Sequence, residues 1–378
     1  MKLRRALIVA ATVLSMAAVA RSGHEQSVYP SYYPHEIEVK ALAPGPAAEL
    51  LRAGKLHAYL GDVPPMAAGD GAATVESLGA FLVVRLNANS PRAGDEPTAC
   101  ATAAALVRDM AQRGNGFVVH PYPVTPWHGD YFDHADLAEA ARQQLLASDA
   151  SLGPGDLKVR AIGARARDLT RPEWLSEAEP WDAAVEEVSA AELVARETTM
   201  LNGWLGPRWV RSGWFHAYRL LGPLITDATR ASVVAANAAR LQEVAYTGAV
   251  ERINLERELL HALLSGCRAL VAGYTVKREQ FNASFSAGIE NISFDALEGF
   301  NSPMFLRTVK LKDFPWNGWL QLGLQPPPSA AWNPVGGFTD PFGRLMWFAV
   351  ADPALIPMPY DQVWILNRFS DVEASPPR

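Results

Sequence analysis

A chain of 378 residues, 49% apolar and 20% charged, has the material for a packed core and, at roughly 150 residues per domain, for two domains. A formal net charge of −6 without any basic block excludes a binder that works by neutralising nucleic-acid phosphates. The first twenty residues read as an export signal, and the expected export removes cytosolic nucleotide chemistry from the candidates.

Met1-Lys2-Leu3-Arg4-Arg5 is a short positive segment, Ala6 to Ala20 is free of charge, and Ala18-Val19-Ala20 has the small-x-small form that signal peptidase cuts after. These are the three parts of a secretory signal. The apolar run is 15 residues, shorter than the ~20 that span a bilayer, so cleavage is expected rather than retention as an anchor. No Cys follows for lipid attachment, and no later run is apolar enough to span. Loss of Lys2, Arg4 and Arg5 takes the net charge from −6 to −9. The mature protein is expected to be soluble and periplasmic or secreted. A cut after Gly23 would make His24 an N-terminal copper ligand, but it places Arg21 where a small residue is required.

After the signal (1–20), the pattern predicts an α/β part over 21–225 with a mixed sheet. It then predicts a long helical region and an antiparallel β-rich part over 226–378, giving an α+β whole. Ser27 to Pro34 is Tyr/Pro-rich and extended. Strands are expected at Ile37–Leu42, Leu56–Leu60, Leu78–Leu86, Phe117–Val119 and Leu157–Ile162. Helices are expected at Ala47–Gly54, at Thr98–Arg113 with Thr98 as N-cap, and at Asp133–Ala147. Thr226-Asp227 caps a helical region in which Ile253, Leu260, Leu264, Cys267 and Val271 keep helical spacing, with Gly248 and Gly273 as breaks. Thr308–Trp316, Asn317-Gly318 and Trp319–Leu324 spell a hairpin. Leu345–Val350 and Gln362–Asn367 are expected as strands across a Pro-rich loop. Asn-Gly-Trp-Leu occurs at 202–205 and 317–320, too far apart to argue duplication.

Two cysteines, Cys100 and Cys267, permit one disulfide in an oxidising compartment; two buried thiols are the equal alternative. Covalent-haem, zincin, phosphate-loop, nucleophile-elbow and EF-hand motifs are absent. The densest polar stretch is His120 to Asp136, where His120, His128, Asp130 and His134 supply donors suited to Zn, Cu or Fe. The competing reading is loop and cap chemistry, with Asp133 as N-cap, Asp136 in the first turn, and His134 as first helical residue facing the positive dipole end. Glu258-x-x-His261 lacks the second copy that a di-iron bundle needs, and Glu251, Arg252, Glu256 and Arg257 read as a solvated, salt-bridged face.

Tyr122, Trp127, Trp214 and His216 are the candidate ligand-binding side chains, set among tryptophans (Trp204, Trp209, Trp214; Trp316, Trp319, Trp332) that could stack on a ligand or fill a core. Asn282 and Asn291 fit the glycosylation pattern, which matters only in a eukaryotic host. Glu49 to Gly61, followed by a strand ending Val83-Val84-Arg85, resembles the helix–strand–strand pattern of type II solute-binding proteins. The helix that pattern places after its first strand is missing and no hinge crossing is evident, so the resemblance stops at this stretch. It implies an exported small-ligand-binding or accessory protein. A metal-dependent exported enzyme or metal carrier, and an interaction module with a Trp-rich surface, are the alternatives.

Overall fold

The computed structural model describes residues 34, 36–63, 71–114, 116–147, 152–153, 155, 157–199, 207–313, 318–325, 341–351, 354–367 and 370–371. The expected export signal, His24, most of the Tyr/Pro-rich stretch, the Asn317 turn residue, Trp204, Trp316 and Trp332 lie outside them. The elements run β1 (Glu36–Ala41), α1 (Pro44–Arg52), β2 (Ala58–Leu60), β3 (Ala72–Leu86), α2 (Glu96–Arg113), β4 (Phe117–Val119), α3 (Ala135–Leu146), β5 (Val159–Ile162) and α4 (Ala164–Leu169). They continue through β6 (Ala183–Ser189), α5 (Ala190–Thr199), α6 (Gly213–Leu221), α7 (Ala228–Gln242), α8 (Gly248–Leu264), β7 (Ala269–Asn282), β8 (Ile289–Glu290) and α9 (Pro303–Thr308). The last are β9 (Lys310–Leu311), β10 (Trp319–Leu324), α10 (Pro341–Ala351), β11 (Leu355–Pro357) and β12 (Trp364–Leu366).

The fold is mixed α/β. One eight-stranded sheet has the order β1-β10-β2-β7-β3-β6-β5, with β4 added on β7. β1, β10 and β2 are mutually parallel, as are β5 and β6, while β7 is antiparallel to β2, β3 and β4. The expected division at 225/226 therefore falls inside a shared sheet: β7 and β10 come from the later part and pair with strands of the earlier one. No local hydrophobic period could reveal this, because the pairs join residues some two hundred positions apart.

β3 and β7 are the two longest strands, and their central stretches are buried on both faces. In β3, Phe81 and Val83 face one core with Trp214, Phe215 and Leu259, while Leu82, Val84 and Leu86 face another with Leu106 and Met110 of α2. An extra residue in β3 between Leu78 and Phe81 is matched by one in β7 opposite Leu82/Val83. Such bulges turn side chains to the other face, so Leu78 joins Phe81 in the same core despite its parity. The backbone N–H left over at Ala80 donates to Thr275 Oγ1 at 3.0 Å. A third core gathers Phe300 and Phe305 against Leu320 and Leu322 of β10.

Several local expectations are corrected. α2 begins at Glu96, because Asp95 rather than Thr98 is the N-cap and accepts from Thr98 N at 2.8 Å. The helix expected to run towards Val271 ends at Leu264; Cys267 sits in the following turn and Val271 in β7. β9 and β10 form no hairpin: β9 pairs with β8, and β10 inserts parallel between β1 and β2. Leu345–Val350 belongs to helix α10, and the strand across from β12 is β11, Leu355–Pro357.

Gly273 is no break but a mid-strand residue opposite Val119 of β4. A Cβ there would collide with the Val118 carbonyl oxygen and lie 3.0 Å from His120 N. Glycine is what lets β4 approach, as strand glycines commonly do. Gly273→Ala is therefore expected to destabilise the protein by about 1–3 kcal/mol through overpacking. An unchanged urea-unfolding midpoint would show that β4 is not held this closely.

Candidate functional site

β4 delivers the His120–Asp136 stretch into the interior. His120 N donates to Ala272 O at 3.2 Å, and its Nε2 bonds Val124 O at 2.9 Å. His120, Tyr122, Thr125, His128, Asp130 and His134 are all buried. The path is turned by Pro121, Pro123 and Pro126, whose missing N–H groups need no partners inside.

Two polar chains leave this stretch. In the first, Thr125 N donates to His128 Nδ1 at 2.9 Å, His128 Nε2 meets His216 Nδ1 at 2.9 Å, and His216 Nε2 meets Val210 O at 3.1 Å. This sequence assigns the tautomers. Each Nε2 carries the hydrogen, each Nδ1 accepts, and both rings are neutral. Burial pushes the His128 pKa well below its ordinary value, with His216 adding to the effect, and pushes His216 down to about 4. Every nitrogen of this pair is used by the protein itself, so His128 is not directed at a metal.

In the second chain, Tyr122 Oη lies 3.3 Å from His134 Nδ1, and His134 Nε2 lies 3.2 Å from Glu256 Oε2 of α8. Arg252 donates to Glu256 Oε1 at 2.7 Å and to Asp133 Oδ2 at 2.9 Å. Both oxygens of Asp130 accept from Gly213 N at the start of α6, at 3.1 and 3.0 Å. Burial raises the Asp130 pKa to about 6, and the Glu256 carboxylate adds to the rise. One donor atom each from Asp130, His134 and Glu256 lie within 4.8 Å of one another.

Of the four metal candidates, then, Asp130 and His134 converge, while His120 and His128 are committed to other partners. The expected cap chemistry holds in part: Asp136 lies in the first turn of α3 as expected, but His134 rather than Asp133 is the N-cap residue, and Asp133 pairs with Arg252. Glu256, assigned from sequence to a solvated face, is 1% exposed. Its Glu-Arg neighbours hid it, since charge density reads as surface. Glu258 and His261 are exposed. Among the ligand-binding candidates, Trp214 and His216 are enclosed in the core, Trp127 packs half-buried against it, and Tyr122 lines a depression with Leu137, Arg257 and His261.

A separate cleft of about 510 Å³ lies at the end of β3 where α2, α7 and the α8–β7 turn meet. Arg85, Arg230 and Arg268 face it, with Trp181, Leu224 and Ile225 as apolar wall. The Arg85 guanidinium sits over the Trp181 ring at 5.2 Å and has no hydrogen-bond partner among the described residues. Arg230 donates to Ser265 O at 2.5 Å, while its buried Nε is unpartnered. Glu96 and Asp227 also line the cleft, but Glu96 accepts from Cys267 N at 2.8 Å and Asp227 caps α7. The structure joins Cys100 to Cys267, with Cα atoms 4.8 Å apart, the latter next to Gly266, which lines the cleft. Sequence spacing could not show the cleft, because its arginines are spread from 85 to 268. Arg85, the charged exit of a strand, was its one local sign.

No protein-family model matches the sequence, and no curated protein matches it. Among solved structures, the chain course is similar to a periplasmic oligopeptide-binding protein of Borrelia burgdorferi (10% identity, TM-score 0.41, 71% of this chain and 56% of that one). It is also similar to OppA of Haemophilus influenzae, solved with a peptide (12%, 0.40, 71% and 56%). NikZ of Campylobacter jejuni, solved with Ni(L-His), is a third (12%, 0.37, 66% and 56%). The chain spans 56% of the length of each of these proteins. Among the described residues no helix is long and apolar enough to cross a membrane.

The His128–His216 pair has a pH consequence. Folded, His216 stays neutral down to about 4, with Arg211 opposing its protonation; unfolded, it takes a proton near its ordinary value of 6.5. Between those values the unfolded chain binds more protons, so stability falls as pH falls from about 6.5 to about 4 and is untouched by this group above that window. The loss is about 3 kcal/mol. Urea unfolding of the wild type should show this slope and His216→Gln a shallower one. Equal slopes would assign acid sensitivity elsewhere.

Proposed function

We propose that the protein is an exported binder of a small anionic solute, held in the cleft lined by Arg85, Arg230 and Arg268. The observation that carries this reading is the pairing of three guanidinium groups with an apolar wall in a space of about 510 Å³. Ligand pockets range over roughly 300–1,000 Å³ and combine apolar lining with a few placed polar groups. Guanidinium is the side chain suited to two-pronged recognition of a carboxylate or phosphate. The free donors of Arg85 and the unpartnered Nε of Arg230 are what such an anion would satisfy. Trp181 and the 221–225 segment would cover the apolar part of the solute. The signal-like start of the sequence and the Cys100–Cys267 pairing both fit an oxidising compartment outside the cytoplasm.

The experiment is a thermal-shift screen of the mature protein against small mono- and dicarboxylates, phosphate esters and neutral or cationic controls. A ligand that binds only the folded state must raise the midpoint; at a hundred times its Kd the gain is about 2.7 kcal/mol. Anions are expected to stabilise the wild type, and Arg230→Met combined with Arg268→Met is expected to abolish the shift. No stabilisation by any solute, or shifts unaltered in the double variant, would rule the cleft out as the ligand site.

A further inference from the structure

We propose that Asp130, His134 and Glu256 form a buried binding site for one divalent transition-metal ion, distinct from the arginine-lined cleft. Their exposures are 4%, 0% and 1%, and one donor atom from each falls within 4.8 Å of the others. One imidazole and two carboxylates make a donor set suited to Zn²⁺, with Fe²⁺ and Mn²⁺ as related occupants.

Charge accounting points the same way. A buried charge is either paired or coordinates a metal. Glu256 has its cation in Arg252 at 2.7 Å. No Lys or Arg pairs with Asp130 among the described residues: its oxygens accept from the Gly213 N–H beside the His134 ring, which leaves lone pairs unused on a carboxylate cut off from water. A divalent ion placed among the three donors supplies the missing positive charge. It also meets the objection that a cation at the start of α3 faces the positive dipole end, because two carboxylates offset that field.

Each ligand already has an orienting partner, as metal ligands require. Gly213 N holds Asp130, Arg252 holds Glu256 through the oxygen not facing His134, and Tyr122 Oη stands at His134 Nδ1. Binding at His134 Nε2 requires the neutral ring to change tautomer, its one proton passing from Nε2 to Nδ1. Tyr122 then accepts where it had donated, as a hydroxyl can. Tyr122 also lines the surface depression that Leu137, Arg257 and His261 share.

The test uses chelator-treated mature protein and Zn²⁺, with Co²⁺ as spectroscopic probe. The wild type is expected to retain one equivalent after gel filtration, to show visible Co²⁺ absorption of a low-coordinate N/O site, and to melt several degrees higher with Zn²⁺. Glu256→Gln and Asp130→Asn should each weaken binding at least tenfold. Glu258→Gln and Glu139→Gln, both on exposed faces, should bind as the wild type does. Folded wild type that retains no metal and shows no Co²⁺ spectrum overturns the proposal without recourse to any variant. So does affinity unchanged in both isosteric variants, or lost in the surface pair. Cleft binding of anions is read separately, so either site can fail alone.

Discussion

The antiparallel pairing of β3 with β7 is the constraint on which the other parts depend. Both strands are buried on two faces, and the two compensating extra residues keep them in register while turning Leu78 towards the same core as Phe81. That core receives α6 and α8, the elements that carry Gly213 and Glu256. The other end of the same pair supplies Arg85 and Arg268 to the cleft. Gly273 in β7 admits β4, and β4 launches the histidine-rich stretch into the interior. Shifting this register by one residue would turn every side chain of the pair to the wrong face.

Inside, the polar groups divide by how completely they are satisfied. The His128–His216 chain uses every ring nitrogen and needs no charge, so it behaves as a neutral cross-link between the 120–134 stretch and α6. The Asp130–His134–Glu256 group brings two carboxylates together, and only Glu256 has an arginine against it. A satisfied buried network rigidifies a fold, whereas an unbalanced one marks a place where something else completes the accounting. The two chains begin within a few residues of each other, yet their chemistry differs because one ends on backbone carbonyls and the other on carboxylates.

The amino-acid pattern made much of the first part legible. Alternation marked β1 and the run LGAFLVVRL marked β3, because a strand buried on both faces shows as continuous apolarity. The buried histidines were visible as a cluster, but not their partition, since His216 and Glu256 arrive from distant helices. Asn-Gly between two β-like runs promised a hairpin, yet β10 pairs with β1 and β2 instead. A turn signal states what a dipeptide tolerates, not which strand awaits it. Leu345–Val350 shows the same ambiguity in a short apolar run, which periodicity alone cannot assign to helix or strand.

The bond between Cys100 and Cys267 closes a covalent ring with a sequence separation of 167. The ring holds the histidine-rich stretch, α6, α7 and α8, while β10 and α10 lie outside it. A protease that nicks any loop between the two cysteines therefore leaves the two pieces tethered until a reductant acts, whereas a cut after β7 leaves the remainder held only by non-covalent contacts such as the pairing of β10 with β1 and β2. Resistance to fragmentation is thus unevenly distributed along the chain: Asp130, His134 and Glu256 all lie within the ring, while Arg85 and Arg268 of the cleft lie just outside it.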